Sequence, residues 1–139
     1  MEGYPFVVPV EVRFRDLDAL GHVNNVVTLT YMESARIAWW IHVTGRDLRE
    51  MSMILARTEI DYRSPATYGE RLLVGVRCAS MRRSSFVLEF RVEEQGTGRV
   101  VAEARKVLVH YDYAAGRSTP IPDDLRARVR TQDPSVREG

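Results

Sequence analysis

The order of apolar and polar positions divides the chain into a strand, a long helix and four further strands. Apolar and polar residues alternate over residues 6–15, which predicts a half-buried strand. Pro9 has no amide hydrogen to donate, so it favours an edge position or a strand start for this segment. From about residue 27 to 43, apolar residues recur every three or four positions, which predicts a helix with a broad apolar face.

Polar residues and glycine mark both ends of this predicted helix. Asn24 or Asn25 can cap its first turn, and Gly45 is placed to end it in the left-handed conformation. Asp47 and Glu50 have the spacing of a capping box, so we expect a short helical turn after the helix.

The four strands after the helix complete the predicted fold. They are expected near residues 54–62, 73–78, 86–93 and 99–111, with alternating apolar positions in each. Short turns between neighbouring strands are typical of antiparallel pairing. A helix and a sheet that each have one apolar face must cover each other. The pattern therefore predicts an α+β fold in which a sheet wraps around a central helix.

Length, charge and cysteine content narrow the class of protein. We expect one domain over residues 1–139, in which 112–139 add one helical turn or a loosely ordered tail. A net charge of +1 gives no reason to expect a nucleic-acid or membrane partner. Cys78 is the only cysteine, which fits a reducing compartment. Because no segment has the pattern of a secretory signal or a membrane span, we expect a cytoplasmic protein.

The segment RFRDLDALGHVNNVV, residues 13–27, concentrates the candidate chemistry. Its Asp-x-Asp-x-x-Gly start matches a calcium loop, but leucine and valine stand at the fifth and twelfth positions, where oxygen ligands belong. Asp16, Asp18 and His22 have no second His or Cys at ligand spacing for zinc. We therefore expect neither a metal nor a cofactor.

Two interpretations of this segment are open from its residues alone. In the first it is a polar connection, because Asp, Asn and Gly favour turns and a carboxylate is stabilised near a helix N-terminus. In the second, free N–H groups at the helix start bind a carbonyl oxygen that becomes negative during acyl transfer. Asp18 would then attack that carbonyl or activate a water, with the Asn25 amide as donor.

Three motifs resemble those of the hotdog-fold acyl-CoA thioesterases, the 4-hydroxybenzoyl-CoA thioesterase family. The first is VRFRDLDALGHVNNVVTLTYMESAR, with the signature Asp-x-Asp-x-x-Gly-His-Val-Asn-Asn ahead of a helix. The second is YRSPATYGERLLVGV and the third is MRRSSFVLEF, and the matches run in order from about residue 8 to about 111. The resemblance implies a hotdog fold, an antiparallel five-stranded sheet wrapped around a long central helix.

The same resemblance implies hydrolysis of an acyl-CoA thioester to free CoA and a carboxylic acid. Asp18 takes the position of the family's catalytic carboxylate, as nucleophile or general base, and the Asn25 amide that of the group polarising the carbonyl. His22 and Asn24 lie at the site in this motif, where they would orient Asp18, water or the thioester. Asp16 resembles a structural residue of the turn.

For a second group of residues the resemblance implies binding of CoA. Arg82, Arg83 and Ser85 lie where the family contacts the nucleotide and phosphates, and guanidinium groups suit phosphate because they donate in a planar fork. Thr28 stands where family members usually have tyrosine, which implies a wider or differently shaped pocket. The family's usual assemblies imply a homodimer or homotetramer with sites at the subunit interface.

Two other functions are alternatives for the same residues. One is a non-catalytic acyl-CoA-binding hotdog protein, which would release no CoA. The other is a hotdog hydratase or dehydratase acting on enoyl thioesters. Glu33 and Arg36 lie three apart on the helix, and we expect an ion pair there in preference to a second catalytic carboxylate.

Overall fold

The computed structural model describes all 139 residues as an antiparallel sheet with one long helix packed against its inner face. In chain order the elements are β1 Phe6–Glu11, α1 Asn25–Thr44, β2 Met53–Tyr62, β3 Arg71–Met81, β4 Ser85–Glu94, β5 Val100–Asp112, β6 Arg117–Ser118, α2 Asp123–Gln132 and β7 Arg137–Glu138. The strand order is β1-β3-β4-β5-β2, so β1 and β2 form opposite edges. The predicted architecture is confirmed, and the edge position of β1 accommodates Pro9.

The core lies between α1 and the inner face of the sheet. Alternate residues of β4 point inward and are buried, as its period-two pattern predicts. From the helix, four large side chains fill the space above them: Tyr31, Met32, Trp39 and Trp40. Full burial of a large apolar side chain contributes about 1.5–3 kcal/mol, so this contact between helix and sheet is the main source of stability.

Both ends of α1 are capped as the sequence predicts. The Asn24 side chain accepts the N–H of Val26, so Asn24 and not Asn25 is the N-cap. At the other end Gly45 adopts φ 67° and donates its N–H to the Ile41 carbonyl. The capping box between Asp47 and Glu50 is also present, around a short 3₁₀ turn. These caps fix where the helix begins, and hence where its free N–H groups point.

Two strand predictions are wrong in detail, each for a local reason. Strand β1 ends at Glu11 because the chain turns into a 3₁₀ helix at Phe14–Asp16, which leaves Phe14 79% exposed. In β2 a bulge after Leu55 shifts the register, so Leu55 shares the face of Thr58 in place of the predicted Ile54. Neither change alters the strand order.

The residues after Asp112 pack against the rest of the fold. Helix α2 is ten residues long, more than the single turn expected, and it buries Leu125 and Val129. Beyond it, β7 pairs in parallel with Ser80 and Met81 at the end of β3. No helix in the structure has the length and apolar character that a membrane crossing requires.

Candidate active site

The loop between β1 and α1 is held in place by a buried carboxylate. Asp16 is 3% exposed and accepts hydrogen bonds from the Tyr31 hydroxyl at 2.6 Å and the Arg13 backbone N–H at 3.0 Å. Its own carbonyl accepts the N–H of Asn24 at 2.9 Å. Burial raises the pKa of Asp16, but the bonds from Tyr31 and Arg13 outweigh burial and hold that pKa below its ordinary value. Asp16 therefore ties the loop to the helix that it precedes.

Asp18 lies in the exposed part of the same loop. Its Oδ1 accepts the backbone N–H groups of Leu20 at 2.9 Å and His22 at 3.3 Å. A turn between Asp18 and Gly21, with Gly21 at φ 78°, reverses the chain there. Both side-chain bonds end on Oδ1, so Oδ2 makes no hydrogen bond within the chain.

The first turn of α1 leaves one backbone donor unused. The N–H of Val26 is bound by the Asn24 side chain, and those of Val27 and Thr28 by the Asn24 carbonyl. The N–H of Asn25 has no acceptor within the chain, although helix N-termini normally satisfy such groups. The Asn25 carbonyl accepts the Tyr62 hydroxyl at 2.9 Å, which fixes this turn against β2.

A cavity of about 250 Å³ brings the loop and the helix start together. Its lining includes four of the residues predicted from sequence, namely Asp18, His22, Asn25 and Thr28. Thr28 is 4% exposed and forms part of the floor. Asn24 does not line the cavity, because its side chain is occupied in capping the helix. The carboxylate of Asp18 and the free amide of Asn25 thus share one polar cleft.

The opposite wall comes from a segment whose role sequence reasoning missed. Tyr62, Arg63, Ser64, Pro65 and Ala66 line the cavity between β2 and β3. Arg99 braces this wall by donating to Ser64 Oγ at 3.1 Å, to the Pro65 carbonyl at 3.1 Å and to Glu70 at 2.9 Å. The motif YRSPATYGE contained these residues, but only the fold shows that they face Asp18.

The predicted CoA-binding residues lie at the other end of the sheet. Arg82 and Arg83 are exposed in the β3–β4 turn, and Ser85 begins β4. The loop bearing Asp18 contacts the start of β3, where Val12 donates to the Glu70 carbonyl. Strand β3 separates the two groups by roughly 30 Å at about 3.3 Å per residue. Within one chain, the structure does not bring them together.

The comparisons with known proteins agree with this architecture. A family model described as the thioesterase-like superfamily matches residues 12–129, which is most of the chain. The chain belongs to the thioesterase-like superfamily. The predicted family and the predicted enzyme class, thioesterase, are thereby confirmed.

Individual relatives span nearly the whole chain. A thioesterase from Thermus thermophilus, solved in complex with coenzyme A and zinc, is 42% identical with a TM-score of 0.89, covering 96% of this chain and 98% of that one. A predicted thioesterase from Bacillus stearothermophilus is 26% identical with a TM-score of 0.85, covering 92% and 96%. The long-chain acyl-CoA thioesterase FadM of Escherichia coli is 25% identical over 126 residues, covering 86% of this chain and 93% of FadM.

Metal ligands do not gather at this cleft. No group of three or more His, Cys, Asp or Glu side chains in the structure is arranged to hold a metal ion.

Proposed function

We propose that this protein hydrolyses acyl-CoA thioesters at the cleft formed by Asp18 and the start of α1. The observation that carries the proposal is the single unsatisfied N–H of Asn25, which shares a cavity with a carboxylate oxygen that makes no other bond. A donor fixed before the reaction stabilises negative charge on the carbonyl oxygen without reorganisation. The thioesterase relatives, one solved with coenzyme A and another acting on long-chain acyl-CoA, support the same reaction class.

The chemistry needs one carboxylate and one water. The Asn25 N–H would bind the thioester carbonyl oxygen, and Asp18 Oδ2 would attack the carbonyl carbon or take a proton from a water that attacks it. If Asp18 attacks, the carbon–sulfur bond breaks to leave a mixed anhydride, and water then hydrolyses it to the carboxylic acid and free Asp18, while the CoA thiolate takes a proton from water. If Asp18 acts as the base, water adds to the carbonyl carbon, the carbon–sulfur bond breaks, and the proton held by Asp18 passes to the leaving thiolate. His22 lines the same cavity and would orient the thioester or the water.

A second copy of the chain would bring the predicted CoA contacts to this cleft. Strand β2 is an edge with exposed apolar residues Ile54 at 40% and Leu55 at 42%, which natural edges seldom leave uncovered. Two-fold pairing of β2 with β2 is antiparallel, so the Asp18 end of one sheet would lie beside the Arg82 end of the other. The homodimer is thus part of the proposal, and it would explain why Arg82 and Arg83 lie far from Asp18 within one chain.

The test is release of free thiol from a panel of acyl-CoAs by wild type and Asp18→Asn. Asparagine keeps the shape of the side chain and the acceptor for the turn, but it removes the anion. Asp112→Asn is the matched control, because Asp112 Oδ1 also accepts two backbone N–H groups, at 2.9 and 3.1 Å, in an exposed turn. We expect Asp18→Asn to lose about a hundredfold or more of kcat, on the order that positioned proton transfer contributes. The control should stay within about threefold.

Other outcomes would point to the alternative functions. If wild type releases no thiol yet acyl-CoA raises its melting temperature, the cleft binds without hydrolysis. If enoyl absorbance changes while thiol does not, the protein is a hydratase or dehydratase. A double variant, Arg82→Gln with Arg83→Gln, tests CoA recognition, and we expect it to raise KM while kcat changes little.

A further inference from the structure

The inner face of the sheet carries a buried ammonium group that the chemistry above does not use. Lys106 occupies an inward position of β5, opposite Thr58 of β2, and is 2% exposed. Its Nζ lies 3.7 Å from Glu33 Oε1 and 5.0 Å from the centre of the Phe90 ring. A buried ammonium is costly unless its donors are satisfied, and Lys106 makes no hydrogen bond at ordinary distance in the chain.

The partner of Lys106 is already occupied. Glu33 accepts two bonds from the Arg36 guanidinium, at 2.8 and 2.7 Å, which confirms the ion pair predicted on the helix. One carboxylate therefore faces two cations, and the cluster has one excess positive charge. Burial lowers the pKa of Lys106, and Glu33 offsets part of that effect. An additional anion would satisfy donors that the protein leaves unused.

Lys106 and Glu33 of this cluster line a groove between α1 and β2. The groove has a volume of about 260 Å³ and apolar walls formed by Val26, Leu29 and Leu55. Lys106 and Glu33 provide its polar groups, together with threonines. An open groove with apolar walls and a cation in its lining is suited to a chain that is apolar along its length and anionic at its tip.

The groove lies next to the cleft along both α1 and β2. Asn25 and Thr28 line the cleft, and their helix neighbours Val26 and Leu29 line the groove. On β2, Tyr62 lines the cleft, and Thr58 lines the groove from the same face of the strand. Glu33 lies about 12 Å along the helix from Asn25, at about 1.5 Å per residue. An acyl chain that leaves the Asn25 amide along this side of α1 would therefore run towards Lys106.

We propose that this groove receives the acyl group and that Lys106 selects chains that end in a carboxylate, the monothioesters of dicarboxylic acids. The inference rests on the proposed thioesterase function and names its substrate class. An acyl chain with a terminal methyl group would leave the ammonium with only its 3.7 Å contact to Glu33 and the face of the Phe90 ring. A terminal carboxylate would accept a charge-assisted hydrogen bond from it.

The experiment compares thioesters of equal chain length that differ only at the far end. The pairs are adipoyl- with hexanoyl-CoA, suberoyl- with octanoyl-CoA and sebacoyl- with decanoyl-CoA. We expect wild type to prefer the carboxylate-ended member of the best-fitting pair by about tenfold or more in kcat/KM, the size expected of one hydrogen bond to a charged group. Equal or lower kcat/KM for the carboxylate-ended member in every pair would overturn the proposal.

Two variants with opposite expected effects test whether Lys106 causes the preference for carboxylate-ended chains. Lys106→Met keeps an unbranched side chain without the charge, and we expect the preference to disappear while hydrolysis of the methyl-ended chain persists. Glu33→Gln removes the competing anion, and we expect the preference to increase. Thr58→Val changes the same groove but leaves the ammonium, so the ratio of kcat/KM between the two members of each pair should stay as in wild type. Equal losses on both members of a pair in Lys106→Met would show a structural role only.

Binding of thioether analogues separates this inference from the proposed function. These analogues of the same pairs cannot be hydrolysed, and calorimetry gives their affinities directly. If no thioester is cleaved but wild type binds the suberoyl thioether at least about tenfold tighter than the octanoyl one, the groove assignment stands and the hydrolysis fails. If cleavage depends on Asp18 but neither assay distinguishes the chain ends, hydrolysis stands and the role of Lys106 fails.

Discussion

Replacing Asn25 by proline removes the one hydrogen-bond donor on which the proposed chemistry depends. Asn25 is the first residue of α1, a position that proline favours because its nitrogen needs no partner within the helix. The N–H that disappears has no acceptor in the chain, so no hydrogen bond of the fold is lost. The preceding residue must be extended before a proline, and Asn24 already is, at φ −58° and ψ 136°. Folding should therefore tolerate the change.

The expected loss of activity follows from the role of that donor. Removing one oxyanion donor costs about 2.7–4 kcal/mol of transition-state stabilisation, or about a hundredfold to a thousandfold in kcat. The donor acts mainly on charge that develops in the transition state, so kcat and kcat/KM should fall together while KM changes little. Stability should be unchanged or higher by up to about 1 kcal/mol, because proline restricts the unfolded chain.

The measurement is steady-state thiol release beside a thermal melt, with Asn25→Ala as the matched variant. Alanine removes the same side chain but keeps the backbone N–H. We expect Asn25→Ala to retain kcat within about fivefold, which separates the backbone from the side-chain amide. A folded Asn25→Pro protein with nearly normal kcat would refute the assignment of the oxyanion donor. A loss of the same size in both variants would assign the role to the side chain.

Two further changes test the supports of the site, and a third tests the C-terminal cap of α1. Tyr31→Phe removes a hydrogen bond to buried Asp16 and should lower the free energy of unfolding in urea at neutral pH by about 1.5–3 kcal/mol. Tyr68 is an exposed tyrosine, so the control Tyr68→Phe should lower it by less than about 0.5 kcal/mol. The pKa of Asp16 is lower in the folded than in the unfolded state, so the stability that its ionised form contributes is present above the unfolded pKa of about 3.9. That contribution is lost as the pH falls through the folded pKa. The unfolding free energies of Tyr31→Phe and Tyr68→Phe should therefore become similar in acid. Gly45→Ala places a side chain at φ 67° and should lower stability by about 1 kcal/mol in the same assay, and an unchanged midpoint would contradict the left-handed cap. Arg99→Gln loosens the wall of the cleft opposite the carboxylate and should raise KM more than it lowers kcat, whereas unchanged kinetics would show that this brace is irrelevant to the site.

Sequence patterns predicted the elements well wherever a single local rule decided the structure. The apolar period located α1, and the rules for caps and left-handed glycine located its ends at Asn24 and Gly45. The same reasoning failed where contacts distant in sequence decided the outcome. The bulge in β2 depends on pairing with β5, and the short β1 depends on Asp16 reaching Tyr31, fifteen positions along the chain.

The residues of the candidate site also fall into a local group that the sequence predicts and a distant group that only the fold brings together. Asp18, His22 and Asn25 belong to one continuous motif, so their proximity follows from the turn that contains them. The wall at residues 62–66 and the ammonium of Lys106 come from strands that only the sheet places beside the helix. A lysine in phase with the buried Ala104 and Leu108 was visible as a break in the period-two pattern, and it could have been flagged as a polar group in the core.

The two interpretations of the segment 13–27, a helix cap and a catalytic turn, describe the same set of hydrogen bonds. Asn24 binds three of the first four N–H groups of α1 through its side chain and its carbonyl. That cap leaves one donor, on Asn25, and the turn that presents Asp18 beside it is fixed through Asp16 to the same helix. Capping thus selects which amide stays free, so a weaker cap would release further donors to water and loosen the first turn that carries the Asn25 amide. We therefore expect Asn24 to influence kcat without touching the substrate, so Asn24→Asp, which keeps the cap, should preserve kcat better than Asn24→Ala does, and equal kcat in the two variants would contradict this expectation.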